Sequence, residues 1–372
     1  MCEMRKRQRV ELERRRIVAK AESTCKQGGL PDKVATPCCT LQIMEIRVEN
    51  QQNSVADEVS ALFAVVRPIL KGLLYALKAD VTAEAGGREN VKLKMLPRLY
   101  RPGDGDCGIC FEYAVHDAML RRDPAVLERV SDALTLCHVP GSDMSSILFG
   151  AEKTGSQQLI ATARKILTPS SQLMYGKRGR PALLQRHINA IAQALRKPTA
   201  RLNLPQSISG IWRADLFLGK LDTDKWVGTT VKINPTQLTS DKGLRVGIVP
   251  VKQGESDAVV RDESRNLVIC PLLHDRNFME VFYAGWIIVQ QFIAADARVP
   301  GEVNLPRPPE REIARQLAMR REFSVVDVID ALLPLSQPEL LVTQERDAQL
   351  ILTRGDSTVT GAVVAPIGRG PD

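Results

Sequence analysis

What the sequence lacks narrows it first. Between Lys153 and Arg213 there is no Asp or Glu, while eleven Lys and Arg fall in the same stretch. A solvated helical face ordinarily mixes signs, so this tract points to nucleic acid as its partner; the alternative is a cationic surface with no such role. Cysteine is sparse: eight thiols in 372 residues do not make a disulfide scaffold, and reduced thiols are expected. No unbroken apolar run of about eighteen residues occurs, so no membrane span is expected. The N-terminus leads into VELERRRIVAKAE rather than an apolar signal core, which suggests a cytoplasmic protein. A phosphate-binding Gly loop with Lys and a Ser/His/Asp arrangement are both missing.

What is present is a globular chain. Hydrophobic content of 44% over 372 residues supports a sizeable core, and the length allows two domains or one enzyme core with an insertion and extensions. A formal charge of +8 fits a polyanionic partner, and its clustering in the acid-free tract says more than the sum.

Four parts are expected along the chain. Residues 1–53 form a basic N-terminal extension, with the strand-like TLQIMEIRVEN near its end. Residues 54–104 form a helical layer: SVADEVSALFAVVRPILKGLLYALKADV has an apolar stripe at helical period, Ser54 as cap and Pro68 as kink or break. Residues 105–298 form an α/β core with a central mixed sheet flanked by helices and a helical basic insertion at about 125–204. Residues 299–372 form a Pro-rich linker and C-terminal extension, with candidate helices near 310–321 and 325–335. Within the core, ICFEYAVHDAMLRR reads as an amphipathic helix carrying Glu112. After Pro205 the pattern turns to period two in IWRADLFLG, KWVGTTVKIN, LRVGIVPV and NLVICPLL, and RNFMEVFYAGWIIVQQFIAA then reads as a long apolar helix able to cover a sheet.

The chemistry lies in the strand pair WRADLFLG and KWVGTTVKIN. Alternation sends Trp226, Gly228, Thr230 and Lys232 to one face and Val227, Thr229, Val231 and Ile233 to the other. Phosphodiester hydrolysis needs carboxylates that hold Mg²⁺ or Mn²⁺, and a cation beside the attacking water lowers the cost of forming hydroxide. Asp215 and Lys232 suit those two tasks. An Asp on an apolar strand is costly to bury without a partner, which favours a site role over an incidental one. The competing readings are an edge-strand charge for Lys232 and a surface helix residue for Glu112.

At these residues the chain resembles the PD-(D/E)xK nuclease superfamily, over roughly residues 105–295. CFEYAV carries the Glu of the first helix, ADLFLG the strand Asp, and TVK the half-motif ending in Lys. The resemblance implies a restriction-endonuclease-like core and a metal-dependent DNA endonuclease of restriction or phage-defence type. It makes Glu112, Asp215, Thr230 and Lys232 the catalytic candidates, with Glu112, Asp215 and the backbone carbonyl of Val231 as metal ligands. A homodimer and a companion methyltransferase or other defence component are implied as partners beside DNA. Ala214 stands where the family has Pro, and Thr230 where it has Asp or Glu. The second departure removes a carboxylate, so either Glu112 compensates or catalysis is weakened. A catalytically impaired DNA-binding protein and an interaction module with a basic surface are the alternatives.

Within the acid-free tract, KRGRP at 177–181 resembles the core of an AT-hook, although a loop of phosphate-contacting cations is the broader reading. Lys177, Arg178, Arg180, Arg186, Arg196 and Lys197 are the nucleic-acid-binding candidates. Cys107, Cys110, Cys137 and His138 include the residue types of a zinc site at irregular spacing, and small buried thiols explain them better. His116 and His187 read as structural. Neutralising Lys177, Arg178 and Arg180 together is expected to weaken DNA binding and flatten its salt dependence, by up to roughly 0.9 in log–log slope per lost phosphate contact. Affinities across a salt series check this; an unchanged slope excludes the tract from the interface.

Overall fold

The computed structural model describes residues 47–49, 54–99, 106–149, 165–174, 181–204, 214–240, 244–252, 254–273, 278–302, 304–336, 349–354 and 357–362. The chain divides into two units, one of residues 1–49 with 348–372 and one of residues 50–347. In the first, β1 (Arg47–Glu49) pairs antiparallel with β10 (Gln349–Arg354), which pairs antiparallel with β11 (Ser357–Ala362). The expected boundaries shift accordingly. Residues 299–336 belong with the core unit, where helices Pro308–Met319 and Val325–Ala331 pack on the helical layer.

The core unit is α/β, with a mixed, open sheet flanked by helices. Its strands are β2 (Met144–Leu148), β3 (Gln172–Met174), β4 (Ala182–Leu183), β5 (Leu216–Lys220), β6 (Lys225–Val231), β7 (Arg245–Val251), β8 (Val260–Asp262) and β9 (Leu267–Leu273). The main path runs β2-β5-β6-β7-β9-β8. β2, β5 and β6 form an antiparallel meander, β7 and β9 then join in parallel, and β8 closes the edge antiparallel. All four strands expected after residue 205 form, because their apolar alternation lets each bury both faces.

β6 is shared. One edge pairs with β5 from Lys225 to Thr229. On the other edge Lys225, Trp226 and Val227 pair with β3, and Thr229, Thr230 and Val231 pair with β7. The sheet therefore forks at Gly228.

Each face has its own core. Leu216, Leu218, Val227 and Val231 point into the larger core, built with helices α1 (Ser54–Ala76), α2 (Asp106–Leu120), α3 (Pro124–Leu136), α5 (Phe278–Ala294), α6 (Pro308–Met319) and α7 (Val325–Ala331). Phe217 and Trp226 point the other way, into a smaller core closed by Leu184, Ile188, Ile191 and Ala192 of α4 (Leu184–Arg196). The period-two alternation of β5 and β6 thus serves two cores, as buried strands require.

Three expectations change here. The stretch 125–204 is not a helical insertion: it supplies α3, which packs on β9, and strands β2, β3 and β4 of the sheet itself, before α4. Most of SQQLIATARKIL lies outside the described residues. Pro68 does not break the first helix; α1 runs from Ser54 to Ala76 through it, because α2, α5, α6 and α7 pack around the helix and their contacts outweigh one missing N–H. Finally, Glu58–Ala76 is long and apolar enough to cross a membrane by length and composition, and 67% of that window is buried inside the protein as a core helix.

α1 and α2 approach closely where α1 carries Gly72. A Cβ placed there would lie 2.9 Å from the Cα of Cys110, a backbone atom that cannot swing aside. Helix propensity alone makes Gly72→Ala stabilising by roughly 1 kcal/mol. The close approach reverses the sign, and we expect a loss of about 1–3 kcal/mol from overpacking. Urea unfolding decides between the two; a stabilised variant contradicts this packing.

Candidate active site

Asp215 lies one residue before β5 and Lys232 one residue after β6, at the same end of the antiparallel pair. The backbone of Asp215 is clamped from both sides. Its N–H donates to the carbonyl of Thr229 at 2.8 Å, and its carbonyl accepts from the N–H of Phe149 at 2.8 Å. Thr229 is already the partner of Leu216, so two residues of one strand oppose one of the other, the geometry of a β-bulge, which re-aims a side chain. Here it brings the Asp215 carboxylate to the end of β6. Its Oδ2 accepts from the backbone N–H of Val231 at 3.0 Å and from Nζ of Lys232 at 3.1 Å. The two side chains keep 14% and 28% of their surface exposed, so the pair is sheltered yet reachable.

Thr230 is buried between these groups in sequence but has a different partner. Its Oγ1 accepts a hydrogen bond from Nη1 of Arg245 at 3.3 Å. Arg245 begins β7, is itself buried, and lies on the sheet face opposite Val246 and Ile248, which join the larger core. Sequence reasoning missed Arg245. The signal was its offset of two residues from Gly247, which faces Thr230 across the parallel pair.

Glu112 sits on α2 and is buried. The helix rests on β2 and also meets β6, and its neighbours Phe111, Tyr113, Ala114 and Val115 belong to the larger core. Among the described residues no three His, Cys, Asp or Glu side chains gather as a metal-binding group. The structure therefore joins Asp215, Lys232 and the Val231 N–H, ties Thr230 to Arg245 instead, and puts Glu112 on the helix behind the meander. Mg²⁺ is commonly held through one or two carboxylates, with water and substrate phosphate completing its shell. The oxygen donors of Asp215, the Val231 carbonyl and Glu112 are of the right kind for that ion.

Of the basic candidates, Arg186 and Lys197 are exposed on and just after α4. Arg196 ends that helix, and its side chain, like Lys177, Arg178 and Arg180, lies outside the described residues. The candidate thiols are packed rather than displayed: Cys110 and Cys137 are buried in the larger core. Desolvation raises the Cys107 thiol to about 11 and that of Cys137 to about 12, so both stay protonated at neutral pH. His116 is held neutral. Burial, helped by the charge of Lys71, pushes its pKa down to about 3, and its Nδ1 pairs with the Ser146 hydroxyl at 3.0 Å.

No family model, curated protein or solved structure matches the chain.

The Thr230–Arg245 contact yields a direct test. Thr230→Val keeps the shape but removes one acceptor from a buried guanidinium, so a loss of about 1 kcal/mol is expected, with Thr230→Ser close to wild type. Denaturant midpoints check it; equal stability of Val and Ser variants contradicts the contact.

Proposed function

We propose that this protein is a metal-dependent DNA endonuclease whose core is of the restriction-endonuclease type. The observation that carries the reading is the Asp215–Lys232 pair, 3.1 Å apart at the ends of adjacent antiparallel strands, with the Asp backbone fixed by β2 and β6. The order of elements agrees with it: a helix bearing Glu112, an antiparallel meander with Asp just before its second strand and Lys just after its third, then a parallel strand.

In this reading Asp215, the Val231 carbonyl and Glu112 would hold Mg²⁺ or Mn²⁺, and the ion would supply charge to offset that on the pentacovalent phosphorus. Lys232 positions the attacking water and stabilises the hydroxide it becomes, because its ammonium lies beside the carboxylate that marks the reacting phosphate. The Val231 N–H keeps the carboxylate in a fixed rotamer, so little ordering remains for the moment of reaction. Thr230 assists at most through a water, since its hydroxyl is taken up by Arg245. Exposed cations on α4, such as Arg186, would meet the DNA backbone.

A second reading has an observation of its own. A Thr held by a buried Arg at the position where the resemblance calls for an acid favours a DNA-binding protein with impaired catalysis on the same core. Plasmid cleavage with Mg²⁺ or Mn²⁺ separates the two. The nuclease reading expects cutting by wild type that chelation stops, a fall of at least about 100-fold for Asp215→Ala or Lys232→Ala, and DNA affinity of Asp215→Ala equal to or above wild type. Cleavage that survives in Asp215→Ala contradicts it. Salt-sensitive DNA binding with no cutting by wild type supports the second reading.

A further inference from the structure

The two faces of α4 (Leu184–Arg196) are opposite in character. Leu184, Ile188, Ile191 and Ala192 close the smaller core. On the other side, at helical spacing, stand Arg186, Asn189, Gln193 and Lys197, the last just past the final turn, and all four are exposed. Ala190 lies beside them, half-buried. From Arg186 to Lys197 the strip is about 16 Å long, with a cation at each end and two amides between.

A face that only meets water is built differently. Exposed helices gain from Glu and Lys at i and i+4, whose charges pair. α4 contains no acid, not even in its first turn, where a carboxylate would favour the helix, and no acid falls anywhere from Lys153 to Arg213. None of the four side chains on the strip makes a hydrogen bond or ion pair with a described residue. Asn is a poorer helix former than Lys, Glu or Gln, so Asn189 in the middle of α4 does not serve the helix. The cations fix the partner as an anion, and each amide offers a donor and an acceptor side by side.

We propose that α4 lies in the major groove of duplex DNA, with Arg186 and Lys197 on phosphates and Asn189 and Gln193 on base edges. The inference rests on the DNA-binding half of the nuclease reading and goes beyond it, because phosphate contacts carry no sequence information. The major groove admits an α-helix, and Asn or Gln there can bond N6 and N7 of adenine together, while Ala can meet a thymine methyl. Asn189 and Gln193 are about 6 Å apart along the axis, close to two base-pair steps of ~3.4 Å. The preferred sequence therefore holds adenines about two steps apart, with Ala190 against a thymine between or beside them.

Selection from a pool of duplexes with a randomised central stretch tests it, on the full chain with a chelator present so that nothing is cut. The recovered sequences should share adenines, and wild type should bind the best of them at least about tenfold more tightly than the unselected pool. Asn189→Ala combined with Gln193→Ala, exposed changes that raise helix propensity, should cut that preference at least about fivefold, leaving affinity for the unselected pool and its salt slope unchanged. Replacing adenine by 7-deazaadenine in the selected duplex removes the N7 acceptor and should weaken wild type but not the double variant. Binding without any recovered preference, the same preference in the double variant, or indifference of wild type to 7-deazaadenine overturns this proposal and leaves the nuclease reading standing. Failure of wild type to bind any duplex overturns it together with the DNA-binding reading beneath it.

Discussion

The hydrogen bonding of β6 is the constraint from which the rest follows. Its backbone serves β5 on one edge and, on the other, first β3 and then β7. A strand with two different neighbours on one edge forces the sheet to part, and at its end Lys232 finds its own backbone partner, the carbonyl of Ile248 at 2.9 Å. The end of β6 is thus held by β7 while β5 brings Asp215 alongside. Neither charge needs a loop to position it, and sites borne on strands are held more tightly than sites on loops.

That arrangement places polar chemistry where burial makes it costly. A carboxylate beside an apolar sheet needs donors around it, and Asp215 has the Val231 N–H and the Lys232 ammonium. The same logic explains Arg245 and Thr230, a buried guanidinium with a hydroxyl acceptor beside it. On the sheet face that carries Phe217 and Trp226, α4 covers the smaller core with Ile188 and Ile191 and turns Arg186 outward. One helix therefore closes a core and presents positive charge.

Much of this was legible in the sequence, for identifiable reasons. The strands from Leu216 onward announce themselves because each alternates or is continuously apolar, and the Asp215–Lys232 pair follows from their hairpin. β2 was missed because its sequence, MSSIL, places two serines in the core, where Ser146 is explained only by His116 reaching it from α2. β3 and β4 are too short to show a period, so the stretch 125–204 read as helical when it holds the edge strand of the meander and the branch at the fork. Pro68 misled for the opposite reason: local propensity argued for a break, and tertiary packing around α1 overrode it. Arg245 drew no attention in the sequence, and only the parallel register of β7 against β6 turns it toward Thr230.

The central claim is that Asp215, backed by Lys232 and the Val231 N–H, is a divalent-metal site. Paramagnetic broadening reports on it most directly, because the Val231 amide hydrogen-bonds the carboxylate itself. Substoichiometric Mn²⁺ added to labelled protein should broaden the Val231 and Lys232 amide signals selectively, and Asp215→Ala should abolish the effect while the rest of the spectrum is kept. Uniform broadening, or selective broadening that persists in Asp215→Ala, contradicts the account.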